Sequence, residues 1–204
     1  MQSTKDHWEN VYLKKQPGEV SWTQEFPKTS LEFIYSFHLP KTANIIDVGG
    51  GDSKLVDHLL DEGFSNITVL DISANAIGRA KQRLGNRSQK VNWVVSDITE
   101  FEPHTNFDLW HDRATFHFLT SRKQVSTYID IARRWITGYL VIGTFSDSGP
   151  KKCSGLDIKQ YSEKSLESEL KNGFEKIRCL TEDHITPFNT IQNFVFCSFR
   201  RRLD

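Results

Sequence analysis

Cysteine is scarce in this sequence, at 3 residues in 204, and Cys153, Cys179 and Cys197 share no C-x-x-C spacing. A disulfide framework and a thiolate metal site are therefore not expected, and the thiols read as reduced ones in a cytoplasmic protein. Charge of one sign is missing as well. The 26 Lys and Arg face 26 Asp and Glu, which argues against bulk attraction to nucleic acid or to an anionic membrane. No apolar run reaches the roughly 20 residues that a bilayer helix needs. Met1 to His7 lack the charged-then-apolar pattern of a secretion signal. Repeats and low-complexity tracts are absent too. What remains is a chain long enough for one core, or for one domain with an arm.

The stretch Ile45-Ile46-Asp47-Val48-Gly49-Gly50-Gly51-Asp52-Ser53 organises the rest. Apolar β-branched residues around one acid predict a buried strand, and the glycines a tight turn. Leu55, Val56, Leu59 and Leu60 then fall at helical spacing. Glycine permits positive φ and lets a ligand lie against the backbone. A second acid, Asp71, ends the next apolar run twenty residues after Gly51. An acid so placed in a βαβ unit can accept hydrogen bonds from both hydroxyls of a ribose. A nucleoside-containing cofactor follows as the first expectation. Lys54 stands where a dinucleotide fingerprint has its third glycine, and the phosphate-gripping G-x-x-x-x-G-K-[ST] is absent.

Further strands are predicted at Val91–Val95, Phe107–Trp110 and Tyr139–Phe145. Between them lie helices capped by Ser73 and Ser121, with Ala76, Ile77, Ala80 and Leu84 inward in the first and Val125, Ile129, Ala132 and Ile136 in the second. Gly138 is expected to follow the second helix, and Ser30 to cap a short helix ahead of the glycine turn. Four strand–helix alternations predict an α/β, doubly wound parallel sheet with right-handed crossovers. Beyond residue 146 come a loop, a helix capped by Ser162, and two strands at Phe174–Leu180 and Ile191–Phe199. Ligands of such sheets sit beyond the strands' carboxyl ends, which directs attention to His111-Asp112-Arg113 after the fourth strand.

The D-x-G-x-G of Asp47 to Gly51, followed by Asp71 after the second strand, resembles class I S-adenosylmethionine-dependent methyltransferases. The resemblance runs over nearly the whole chain. It is narrower through Phe107 to Leu119 and Gly149-Pro150 to Cys153-Ser154-Gly155-Leu156, which look like small bacterial methyltransferases of unassigned acceptor and, more distantly, elongation factor 1A lysine methyltransferases. It implies a seven-stranded Rossmann-like sheet of order 3-2-1-4-5-7-6 with an antiparallel seventh strand. It also implies S-adenosyl-L-methionine as cofactor, S-adenosyl-L-homocysteine as product, and a small-molecule or protein acceptor at nitrogen or oxygen. The cofactor residues then expected are Gly49, Gly50 and Gly51 with Asp47 at the amino-acid part, and Asp71 with Ile72 at the ribose. Ser96, Asp97 and Ile98 fall at the adenine. Residues 1–28 read as an aromatic arm that either anchors to the surface or closes as a lid, with Trp8, Tyr12 and Trp22 facing the sulfonium, and residues 29–204 as the catalytic domain.

Methyl transfer needs alignment in a dry pocket, and a protonated acceptor must also lose a proton. His111 and Asp112 are the favoured pair to take it, with His117 and His184 as lesser candidates. Arg113 can grip a carboxylate of the cofactor or of an acidic substrate, and His111 and Arg113 are both also expected beside the cofactor. Cys153, Cys179, His117 and His184 lack zinc spacing, so no metal is expected. An NAD-dependent reductase and a non-catalytic cofactor-binding domain are the rival readings; a monomer or weak dimer is expected in each case.

Overall fold

The computed structural model describes residues 3–202. Seven strands form one sheet: β1 (Asn44–Val48), β2 (Asn66–Asp71), β3 (Val91–Val95), β4 (Phe107–Arg113), β5 (Ile136–Phe145), β6 (Phe174–Ile185) and β7 (Ile191–Arg201). Their order is 3-2-1-4-5-7-6. The first five run parallel, and β7 pairs antiparallel with both β5 and β6. The order reverses between β1 and β4, which is where an open α/β sheet leaves a crevice above its carboxyl edge.

Among the described residues there are six α-helices, α1 (Thr4–Lys14), α2 (Lys28–Tyr35), α3 (Leu55–Asp61), α4 (Ala74–Leu84), α5 (Arg122–Trp135) and α6 (Glu163–Leu170), of which α1 packs on α4. Successive strand residues point to opposite faces, and the core divides accordingly. Ile46, Trp110, Leu140 and Ile142 pack with Tyr128 and Ile129 of α5 and Leu166 and Leu170 of α6. Ile45, Leu109 and Val141 pack with Phe33 and Ile34 of α2 and Leu55 and Leu59 of α3. Burying both faces explains why these strands read as unbroken apolar runs.

Ser73, Ser121 and Ser162 cap α4, α5 and α6 as their sequence positions predict, each accepting a backbone N–H of the first turn. Four expectations are corrected. Ser30 does not cap α2: the helix starts at Lys28 and Ser30 lies buried inside it. Gly138 does not stop α5; the helix passes directly into β5, and Gly138 lies in the strand where an added Cβ would stand 2.3 Å from the Asp108 carbonyl oxygen. The last two strands are longer than their apolar cores, because hairpin pairing from Phe174↔Arg201 to Ile185↔Ile191 continues through polar residues. Finally, Cys179 and Cys197 form a disulfide. They are 18 residues apart and carry no spacing signal; the β6–β7 register sets them directly opposite each other. Only Cys153 is a free thiol among the described residues. No helix among them is long and apolar enough to cross a membrane.

Candidate active site

A cavity of about 410 Å³ opens above the carboxyl edge of the sheet. Its roof is the N-terminal arm. Trp8 meets Trp22 edge-on at 5.6 Å between ring centroids and Phe118 at 5.1 Å, and Tyr12 meets Trp22 at 6.2 Å. Glu9 holds this roof down. Its carboxylate accepts from Ser73 Oγ at 2.7 Å and from the backbone N–H groups of Ala74 and Asn75 at 2.9 and 3.0 Å. These are the orphan donors at the start of α4, so the arm's acid completes a helix terminus and interacts with its dipole. The charge on Glu9 carried no motif, and sequence reading missed it.

The glycine turn lies below. Gly49 and Gly51 have positive φ of 66° and 45°. The protein itself demands small residues there: a Cβ on Gly49 would stand 1.7 Å from Thr115 Oγ1, and one on Gly50 would stand 2.6 Å from Asp47 Oδ2. Gly49 and Gly50 line the cavity, while Gly51 is covered by the Tyr12 hydroxyl, 2.9 Å from where its Cβ would be.

Asp71, Ile72, Ser96, Asp97 and Ile98 line the β2–β3 side together. Asp71 accepts the Ser73 N–H at 2.8 Å. Burial pushes its carboxyl up to about 7; that bond pulls it back, and the neighbouring charges of Asp52, Asp47 and Glu9 add to the rise. Asp97 caps a turn through Oδ1, which accepts the Thr99 N–H and hydroxyl at 2.8 Å. Asp52 Oδ2 is buried with no hydrogen bond, 3.7 Å from Arg79 Nη1.

At the end of β4 the pleat separates what the sequence paired. Asp47 and His111 are register partners on adjacent strands and share one face. His111 Nδ1 lies 2.7 Å from Asp47 Oδ1 and Nε2 2.9 Å from Ser30 Oγ. Both ring nitrogens are thus engaged. Asp112 points to the other face. It accepts from the Thr115 and Phe116 N–H groups at 3.0 and 3.1 Å and from the Tyr128 hydroxyl at 2.9 Å. Burial pushes it up to about 6 against those bonds. The structure brings His111 to the cavity and not Asp112.

Arg113 returns to the His111 face and reaches across β5 toward β7. Nη1 donates to the Trp22 carbonyl at 2.9 Å, and the guanidinium lies 5.1 Å from the Phe194 ring centroid. Nε and Nη2 are buried without a hydrogen-bond partner. Burial lowers its pKa to about 10, with Glu182 and Asp47 opposing, so it stays charged at neutral pH. His117 lies behind the cavity wall, stacked on Phe145 at 4.5 Å. Burial, assisted by Arg113, drops it to about 3. His184 donates through Nε2 to the Ser21 carbonyl at 2.6 Å and has Nδ1 3.3 Å from the Gln24 amide. Cys153, Gln192 and Phe194 complete this side. Gln192 and Phe194 read only as strand residues, since nothing local announces that β7 borders a site.

Residues 45–138 match the family model described as a methyltransferase domain. The malonyl-[acyl-carrier protein] O-methyltransferase of Anoxybacillus flavithermus is 36% identical over 113 residues, 54% of this chain and 41% of that protein. The human EEF1A lysine methyltransferase 2 is 27% identical over 126 residues, 55% of this chain and 52% of that one. The chain thus spans about half the length of these relatives or less. Among solved structures, the N-methyltransferase NodS of Bradyrhizobium japonicum, in complex with S-adenosyl-L-homocysteine, superposes with a TM-score of 0.70 at 20% identity, covering 96% of this chain and 93% of that one. The chain therefore has the class I methyltransferase fold. The match to the methyltransferase-domain model covers somewhat less than half of the chain, and S-adenosylmethionine is the cofactor whose fit to this cavity its own residues test.

The donor set fits that cofactor. Acids at Asp71 and Asp97 suit hydroxyl and amino donors, and Ile72 and Ile98 suit a flat ring. The rings of Trp8, Tyr12 and Trp22 suit a cationic sulfur, whose attraction to an aromatic face is worth about 0.5–2 kcal/mol.

Proposed function

We propose that this protein transfers a methyl group from S-adenosylmethionine to a small-molecule or protein acceptor held in the same cavity. The carrying observation is the arc of Gly49, Gly50, Asp71, Ile72, Ser96, Asp97 and Ile98 along one wall of one cavity. When bound, S-adenosylmethionine supplies a methyl group on positive sulfur. The glycine turn, with Gly51 beneath Tyr12, cradles the amino-acid part, Asp71 accepts from the ribose hydroxyls, and Asp97 accepts from the adenine amino group. Residues 1–28 act as a lid on the domain of residues 29–204: Trp8, Tyr12 and Trp22 exclude water and face the sulfonium, and Glu9 latches them to α4.

His111 acts as a positioning residue. With Nδ1 on Asp47 and Nε2 on Ser30, it fixes the wall between the glycine turn and Arg113. Asp112 holds the 112–116 turn in place. The His111–Asp112 pair thus supports the site and is not arranged to share a proton.

Isothermal titration with S-adenosylhomocysteine and, separately, NADH tests this reading. Binding of the first and loss of it in Asp71→Ala are expected. Binding of NADH alone would end it.

A further inference from the structure

The β4–β5–β7 side of the cavity carries Arg113, whose two expected partners are the cofactor's own carboxylate and an acidic substrate; the S-adenosylhomocysteine measurements on the Arg113 variants below separate the two. Arg113 carries a full charge there. Its Nε–H and Nη2–H2 form the edge that grips a carboxylate side-on by two parallel bonds, and neither atom has a hydrogen-bond partner. No carboxylate of the described residues forms an ion pair with it. Around it stand Trp22, Phe145 and Phe194, which are aromatic, and Cys153, whose thiol burial holds up at about 12 and therefore neutral. His184 is likewise held in its neutral form by burial and by Arg113. Gln192 Oε1 is a second buried polar atom without a partner on this wall. The acids assigned above to the ribose and adenine, Asp71 and Asp97, lie on the far side of β1, two and three strands away in the sheet order.

Both Arg113 donor atoms are covered in this structure, so an anion reaches them only as a neighbouring ring such as Phe194 gives way; a buried guanidinium edge without a partner costs free energy that such an anion recovers. A single planar fork matches a monoanionic carboxylate better than a phosphate dianion. An ammonium acceptor would meet a fixed like charge. Resting on the reading under Proposed function, we propose that the methyl acceptor is a carboxylate-bearing molecule with an apolar or aromatic body, its carboxylate seated on the Nε–Nη2 edge of Arg113 and its body against Phe194 and Phe145.

Glu182 is the main internal rival, ahead of Asp47. Its Oε1 is buried and unpartnered while Oε2 accepts from Thr29, and its charge stabilises that of Arg113. If Arg113 served only to balance Glu182, the two residues would be lost with equal effect.

The test titrates benzoate, benzamide and benzylamine into the protein, both free and saturated with S-adenosylhomocysteine, by calorimetry and thermal shift. Wild type is expected to bind benzoate at least about tenfold more tightly than either of the others, since a charge-assisted fork is worth that much. Arg113→Gln should lose about that factor for benzoate while holding S-adenosylhomocysteine within about twofold, and Arg113→Lys should fall between. Glu182→Gln should bind benzoate at least as tightly as wild type. Four results would each overturn the proposal: no benzoate binding, equal binding of benzamide, loss of S-adenosylhomocysteine with benzoate unchanged in Arg113→Gln, or a benzoate loss in Glu182→Gln equal to that in Arg113→Gln. Failure of the cofactor reading shows separately, as wild type that does not bind S-adenosylhomocysteine; the titrations on free protein still read the Arg113 edge. Should Arg113→Gln not fold, Arg113→Lys and Gln192→Leu carry the comparison.

Discussion

The two walls of the cavity differ in how their ionisable groups are held. On the β1–β2–β3 side, Asp47, Asp71 and Asp97 each accept at least one hydrogen bond from the protein, at 2.7 to 2.8 Å. All three residues line the cavity. On the β4–β5–β7 side, Arg113 spends one nitrogen on the Trp22 carbonyl and leaves a complete two-donor edge unspent. Fixed acceptors on one wall and a fixed donor fork on the other suit two ligands of opposite demand. On the readings proposed above, a nucleoside cation belongs to the first and an anion to the second. The difference teaches that charge in this neutral chain is segregated only after folding.

That contrast can be broken in several ways, beginning with the residues that hold the walls apart. Asp112→Ala should have the largest effect, because it strands the Thr115 and Phe116 N–H groups and the Tyr128 hydroxyl in the core. At about 1–3 kcal/mol for each unsatisfied group, a loss of about 3–5 kcal/mol is expected in urea unfolding, which is a large share of a domain's stability. A loss under about 1 kcal/mol would return Asp112 to the list of catalytic candidates. Asp71→Asn should weaken S-adenosylhomocysteine binding by about 10- to 100-fold, as two hydrogen bonds to a charge are lost. Its melting temperature and its benzoate affinity should hold. Equal loss of both ligands would mean that the two walls are not independent.

The pH dependence sharpens the same point. Burial holds the Asp71 carboxyl up at about 7, above its unfolded value, so its contribution to stability is present in acid and fades as pH rises through 7. Ribose hydroxyls favour the ionised form. Binding should therefore release a proton, and S-adenosylhomocysteine affinity should climb with pH up to about 7 and then level off. Calorimetry in buffers of different ionisation enthalpy reads the proton release, and Asp71→Asn should flatten the profile. Ser30→Ala should be the smallest change, costing about 1 kcal/mol for one buried hydrogen bond and leaving benzoate binding within about twofold.

Much of this was legible beforehand. The caps Ser73, Ser121 and Ser162, the strand cores, the inward stripe of α4 and, up to Ala132, that of α5 follow from local geometry and from burial on both faces of the sheet, and the glycine turn and Asp71 sit at fixed chain distances within one βαβ unit. His111 and Asp112 show where reading in one dimension fails. They are neighbours in sequence, and the pleat turns them to opposite faces, one toward Asp47 and Ser30 and the other toward Tyr128. The disulfide is a second case. Cys179 and Cys197 meet because of hairpin register, which depends on how β7 pairs along its whole length.

By itself the sequence determined the order of the elements, the sheet class and the wall built from β1 to β3, because those features depend on patterns repeated every two or 3.6 residues and on short-range turns. Only the tertiary structure decided what faces that wall. Glu9 closing α4, Ser30 reaching His111, and Arg113 lying over Phe194 each join segments 60 to 80 residues apart or more. Contacts of that range are fixed by packing, which leaves no periodic trace along the chain.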